Sequence, residues 1–102
     1  MAQGETQRQT GRSTISAPKE PRKHKVFILN DDFTTFEFVV EIVTIIFMKS
    51  QQEAWEIAET THNNGKALVG VYSLDIARSK VAKATAAARA EGFPLKFEIQ
   101  PE

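Results

Sequence analysis

The apolar residues of this 102-residue chain are almost all confined to its last 80 positions. Among residues 1–22 only Met1, Ala2, Ile15 and Ala17 are apolar, against 38 of the 80 that follow. That division limits the fold to one small domain behind a polar leader, because so little apolar surface cannot offset the entropy lost on ordering the leader. Residues 1–22 are rich in Gln, Thr, Ser, Gly and Arg, end near Pro18 and Pro21, and read as a flexible extension. Residues 23–102 read as the folded domain. The leader has no apolar h-region of a secretory signal; Glu5, its shortness and the lack of an amphipathic stripe argue against an organelle transit peptide.

Within the domain, turn and capping residues punctuate the apolar pattern. Lys25–Leu29 is a β-rich run that ends at Asn30-Asp31-Asp32, so a strand and then a turn. Thr34 and Glu37 have capping-box spacing, and Phe36, Val39, Val40, Val43, Ile46 and Phe47 follow at helical period. Ser50 and Glu53 repeat the box ahead of Ala54, Ile57, Ala58 and Thr61, with Gly65 as the stop. Lys66–Tyr72 reads as a second strand. Ser73 is placed to cap a third helix along Leu74, Ala77, Val81, Ala84 and Ala88, ended by Gly92. Residues 94–100, with Leu95, Phe97 and Ile99 alternating, make a last strand. The order β-α-α-β-α-β predicts an α+β domain, a three-stranded antiparallel sheet packed against three helices.

Composition narrows function mainly by exclusion. Thirteen basic and thirteen acidic residues cancel, which argues against a nucleic-acid coat or a protein held on anionic lipid by charge. The zero sums a +2 leader and a −2 domain. There is no cysteine, hence no disulfide framework, thiolate metal site or thiol nucleophile. No apolar run approaches the roughly 18 residues of a membrane span. His62 with Asp31, Asp32 and Thr34 has the residue types of an acid–base site. The chain nevertheless lacks a nucleophile elbow, a Gly-rich phosphate loop and paired His ligands. Catalysis, a metal and a cofactor are all expected to be absent.

A further pattern lies in the motifs themselves. Val26-Phe-Ile-Leu-Asn-Asp-Asp-Phe-Thr-Thr-Phe-Glu-Phe-Val39 resembles the ClpS adaptor signature: a hydrophobic strand, N-D-D-[YF]-T, then a helix opening x-x-E-F-V. His62-Asn-Asn-Gly-Lys66 is similar to the family's H-x-x-G-K, Gly70-Val71 to the strand after it, and Pro94-Leu95 to the last strand. The likeness spans residues 24–99 with ungapped spacing between motifs.

The resemblance implies a non-enzymatic, cytoplasmic bacterial adaptor, monomeric and free of cofactors. It would bind substrates whose first residue is bulky and hydrophobic (Phe, Tyr, Trp or Leu) and deliver them to the N-terminal domain of a ClpA-type AAA+ unfoldase. By position, Asn30, Asp31 (through water) and His62 would hold the α-ammonium. Asp32 and Thr34 would fix the loop and meet the substrate backbone. The hydrophobic pocket would comprise Ile28, Leu29, Thr34, Phe36, Val39, Ala58, Thr61 and Leu95. Phe33, Asp75 and Lys80 would face the unfoldase. Phe36 and Ala58 stand where the family usually has Met, and Thr61 where Val is common, which implies a reshaped pocket with altered ranking. His62 must be neutral to accept from an ammonium, so binding should weaken in mild acid. An interaction domain of ribosomal-stalk type with another partner is the alternative; a hydrolase using His62 and Asp31 would turn the peptide over.

Overall fold

The computed structural model describes residues 22–102; the leader expected to be flexible lies outside the described residues, Arg22 apart. Six elements follow in the expected order: β1 (Lys23–Leu29), α1 (Phe36–Ile45), α2 (Gln51–Asn64), β2 (Lys66–Ser73), α3 (Leu74–Ala90) and β3 (Lys96–Pro101). The sheet order is β2-β1-β3 with both pairings antiparallel, so the first strand in sequence is the central one.

Strand alternation turns Val26 and Ile28 of β1 and Ala67 and Val69 of β2 toward the helices, where all four are buried. Val39, Ile42 and Val43 of α1 meet them, together with Phe47 and Leu95. The inward stripes of α2 and α3 are mostly alanine: Ala54 and Ala58 on one, Ala77, Ala84 and Ala88 on the other. Small side chains let both helices lie close on the sheet, and the bulk of the core comes from the strands, α1 and its flanking loops.

Three local details differ from the sequence reading. Thr35, not Thr34, is the N-cap of α1, its hydroxyl accepting from the Phe38 N–H, because the Thr34 hydroxyl is engaged elsewhere. Helix α1 also stops early, with Ile46 as C-cap, although the apolar stripe runs on to Phe47. The chain must reverse within a few residues to start α2. Met48 turns it with φ 59°, and Phe47 is buried from the turn itself, 3 % exposed. Finally, Ser73 occupies the N-cap position of α3 without a side-chain capping bond. The capping box of Ser50 and Glu53 forms as expected.

The β1–β2 register slips between Val26 and Phe27, opposite Gly70 and Leu68. The ring of Tyr72 lies over Gly70, where an added Cβ would come within 2.5 Å of the Tyr72 hydroxyl. That close approach is why glycine suits the bulge.

Candidate functional site

The candidate site begins where β1 ends. The Asn30 N–H donates to Gly65 O at 2.8 Å, and the Gly65 N–H donates to Thr61 O at 3.0 Å. Gly65 closes α2 with φ 90°, in the left-handed half of backbone space that L side chains adopt only with strain. This main-chain stitch joins the end of a strand to the end of a helix. It sets Asn30 and His62, the latter in the last turn of α2, on one rim.

Asp31 shapes the loop between them. Its Oδ1 accepts from the N–H groups of Phe33 (2.8 Å) and Thr34 (2.7 Å), while Oδ2 accepts from the Thr34 hydroxyl at 2.7 Å. Such an Asx-type turn is local chemistry: a short carboxylate satisfies backbone donors two and three residues on. Partial burial pushes the Asp31 pKa up. The bonds from Thr34 and Phe33, with the positive charge of Arg89, outweigh it and hold the carboxyl below its ordinary value. The loop is thus fixed by Asp31 with Thr34, whereas Asp32, expected to share that task, is exposed and borders the pocket. The reason is reach: Asp31 precedes Phe33 and Thr34 by the spacing that an Asx turn needs.

From this rim a pocket of about 410 Å³ opens between α1 and α2, within the range of ligand sites. Asn30, Asp31, Asp32, Thr34 and His62 supply its polar side. Phe36 and Val39 of α1 and Ala58 and Thr61 of α2 supply the apolar one. Thr61 counts as apolar because its buried hydroxyl donates to Ile57 O at 2.7 Å, within its own helix.

Not every expected pocket residue lines this space. Ile28 and Leu95 are 0 % and 1 % exposed and lie in the core behind it, since strand alternation puts Ile28 on the same inward face as Val26. Leu29, one residue on, borders a neighbouring depression that shares Asn30, Asp31 and Asp32 with the pocket and adds Phe33, Pro94 and Lys96. Of the residues assigned to a partner surface, Phe33 is 72 % exposed and Asp75 lies exposed in the first turn of α3. Lys80 is half-buried: its ammonium donates to Ile46 O at 2.9 Å, capping α1, and lies over the Tyr72 ring.

Sequence reasoning missed two contributors. Arg89 donates to Phe93 O and Leu95 O, both at 2.9 Å, clamping the segment before β3 and bringing its charge near Asp31. No local pattern announces that role. Trp55 stacks edge-to-face on Phe36 with ring centroids 4.6 Å apart; a contact between two helices leaves no mark in the spacing of either. Among the described residues no group of three or more His, Cys, Asp or Glu is placed to hold a metal, and no helix is long and apolar enough to cross a membrane.

Known proteins are similar to this chain in sequence and in fold. Residues 19–98 match the family model described as ATP-dependent Clp protease adaptor protein ClpS. An ATP-dependent Clp protease adapter protein ClpS from Acetivibrio thermocellus is 46% identical over 84 residues, 82% of this chain and 85% of that one. The ClpS adapter of Neisseria gonorrhoeae is 49% identical over 80 residues, 78% of this chain and 77% of its own. In three dimensions the chain is similar to Agrobacterium tumefaciens ClpS2, solved bound to L-phenylalaninamide: TM-score 0.78, 38% identity, covering 81% of this chain and all of the other. A family match over most of the chain, with the same fold, settles its membership: the chain belongs to the ClpS family of ATP-dependent Clp protease adaptors.

Proposed function

We propose that this chain binds the first residue of protein substrates that begin with Phe, Tyr, Trp or Leu, and delivers them to a ClpA-type AAA+ unfoldase. The observation that carries the reading is one pocket with polar acceptors on one side and an apolar wall on the other. A free N-terminus presents an ammonium with three donors beside a side chain. Asn30, Asp31 and His62 offer convergent acceptors for the first; Phe36, Val39, Ala58 and Thr61 offer an apolar surface for the second. The carboxylate of Asp31 stays charged through neutral pH and adds attraction for a cation. Phenylalaninamide, the ligand of the Agrobacterium tumefaciens neighbour, carries the same pair of features, an α-ammonium and a benzyl group.

As a member of a family of protease adaptors, the chain is not an enzyme. In the proposed cycle it acts as a cytoplasmic monomer, with residues 23–102 as the receptor and the leader serving handover. Phe33 and Asp75 project from the surface as contacts for the unfoldase. Lys80 adds to that surface only with the donors left over from capping α1.

The test is direct. A peptide beginning with Phe or Leu is expected to bind, and acetylating its N-terminus to abolish binding, because acetylation removes the charge and two donors. Equal affinity for free and acetylated peptides would overturn the reading. Peptide recovered intact after long incubation is expected of an adaptor.

A further inference from the structure

The aromatic pair between α1 and α2 has no part in the amine side of the site. Phe36 lines the pocket; Trp55 does not, yet its ring stands edge-to-face against Phe36 at 4.6 Å, an interplanar angle of 70°. Phe36 is the first residue of α1, just after its N-cap Thr35, where only one side of the side chain has helix beside it. On α2, residues 55 and 62 are seven apart, so Trp55 and His62 fall on nearly the same line along the helix, about 10 Å from each other, with Ala58 between. Ala58 is small and 2 % exposed, so it cannot itself hold the Phe36 ring in place. Trp55, 54 % exposed, lies outside the buried core yet touches Phe36, a pocket side chain only partly buried against that core.

We propose that Trp55 is a positioning residue that sets substrate preference by fixing the Phe36 ring across the pocket from Ala58. The inference rests on the binding reading given above and deepens it. With Trp55 in place the pocket has a defined aromatic wall that a short side chain such as leucine can reach. Without it Phe36 samples other rotamers, the wall recedes, and leucine loses contact while the larger indole of a tryptophan does not. An edge-to-face aromatic pair supports an effect of about threefold to tenfold in affinity.

The experiment uses the full chain, its Trp55→Ala and Trp55→Phe variants, and two dye-labelled peptides that differ only in beginning with Leu or Trp, read by fluorescence anisotropy. Trp55→Ala is expected to weaken the Leu peptide about threefold to tenfold and to leave the Trp peptide within about twofold. Trp55→Phe, which keeps an aromatic edge, is expected to restore the Leu peptide to within about twofold of the unsubstituted chain. Trp55 is also the sole tryptophan, so an unlabelled Leu peptide should alter the intrinsic emission of the unsubstituted protein through Phe36. Equal losses for both peptides, unchanged affinities for both, or no rescue by Phe would overturn the role of Trp55. Failure of the unsubstituted chain to bind either peptide would overturn the binding reading, and this inference with it.

Discussion

The two sides of the pocket are built by different physics. The polar rim is made by directional hydrogen bonds: Asp31 reaches two and three residues along its own loop, and the Asn30 N–H donates to Gly65 O across from strand to helix end. The apolar wall is made by side chains that face one another across the cavity without directional bonds, Phe36 and Val39 of α1 and Ala58 and Thr61 of α2. The rim has few ways to adjust, because each bond has one geometry. The wall can exchange volume between facing residues. Substitutions in the rim should therefore behave as switches, and those in the wall as dials.

The sharpest way to break that contrast is Asp31→Ala. It removes three accepted hydrogen bonds and one of the two carboxylates that border the pocket. The loop bonds act on the folded chain, and the binding loss is that of one carboxylate facing the ammonium, about 1.5–3 kcal/mol, so affinity for a Phe-initiated peptide should fall roughly tenfold to a hundredfold. Titration calorimetry of the variant checks it; a loss under tenfold would place the rim among the dials. Gly65→Val tests the stitch through stability instead. A β-branched side chain at φ 90° is strained by about 1–3 kcal/mol, and a domain of this size should lose roughly 4–8 °C of Tm per kcal/mol. Calorimetry showing an unchanged Tm would mean that the α2 end does not need its left-handed turn.

How legible each part was follows the same division. Strand β1, the capping box of Ser50 and Glu53, and the Gly65 stop are local signals, and the sequence reading of them matches the fold. The shift from Thr34 to Thr35 as N-cap was illegible because both threonines have capping chemistry. What separates them is the competing claim of Asp31 on the Thr34 hydroxyl. Phe47 continues the helical stripe of α1 yet is buried from a turn, since periodicity records burial and not the backbone that achieves it. Ile28 and Leu29 show the limit at the site. Resemblance placed both in the pocket, but neighbours in a strand face opposite ways, and neither lines it. Arg89 and Trp55 act through contacts that no spacing in one sequence spells out.

The wall should respond by degrees. In a Phe36→Met/Ala58→Met double variant the bulk moves from α1 to α2, and peptides beginning with Phe, Tyr, Trp and Leu should all still bind. Their order should change, with individual affinities moving by roughly fivefold to tenfold, the low end of the about 1–3 kcal/mol by which one methylene in a hydrophobic pocket discriminates. Four affinities identical to those of the unsubstituted chain would show that these two side chains have no say in specificity. Loss of all binding would show that the wall is a switch after all.

The smallest effect expected comes from acid, and it isolates the rim from the wall because only the rim titrates. Asp31 has a lowered pKa in the folded chain, through its bonds from Thr34 and Phe33. A depressed carboxyl contributes stability that is fully present above its unfolded value, about 3.9, and is lost as pH falls through the lower folded value. Stability followed by urea unfolding should thus decline below about pH 4 more steeply in the unsubstituted chain than in Asp31→Asn, whose side chain does not titrate there. Above about pH 5 the two curves should run parallel, with the variant lower throughout because its amide accepts more weakly than a carboxylate. Identical slopes in acid would mean that the loop bonds do not depress the Asp31 carboxyl in the folded chain. The wall variants, carrying no titrating group at positions 36 and 58, should keep the acid slope of the unsubstituted chain, which separates the two sides of the pocket in a single pH series.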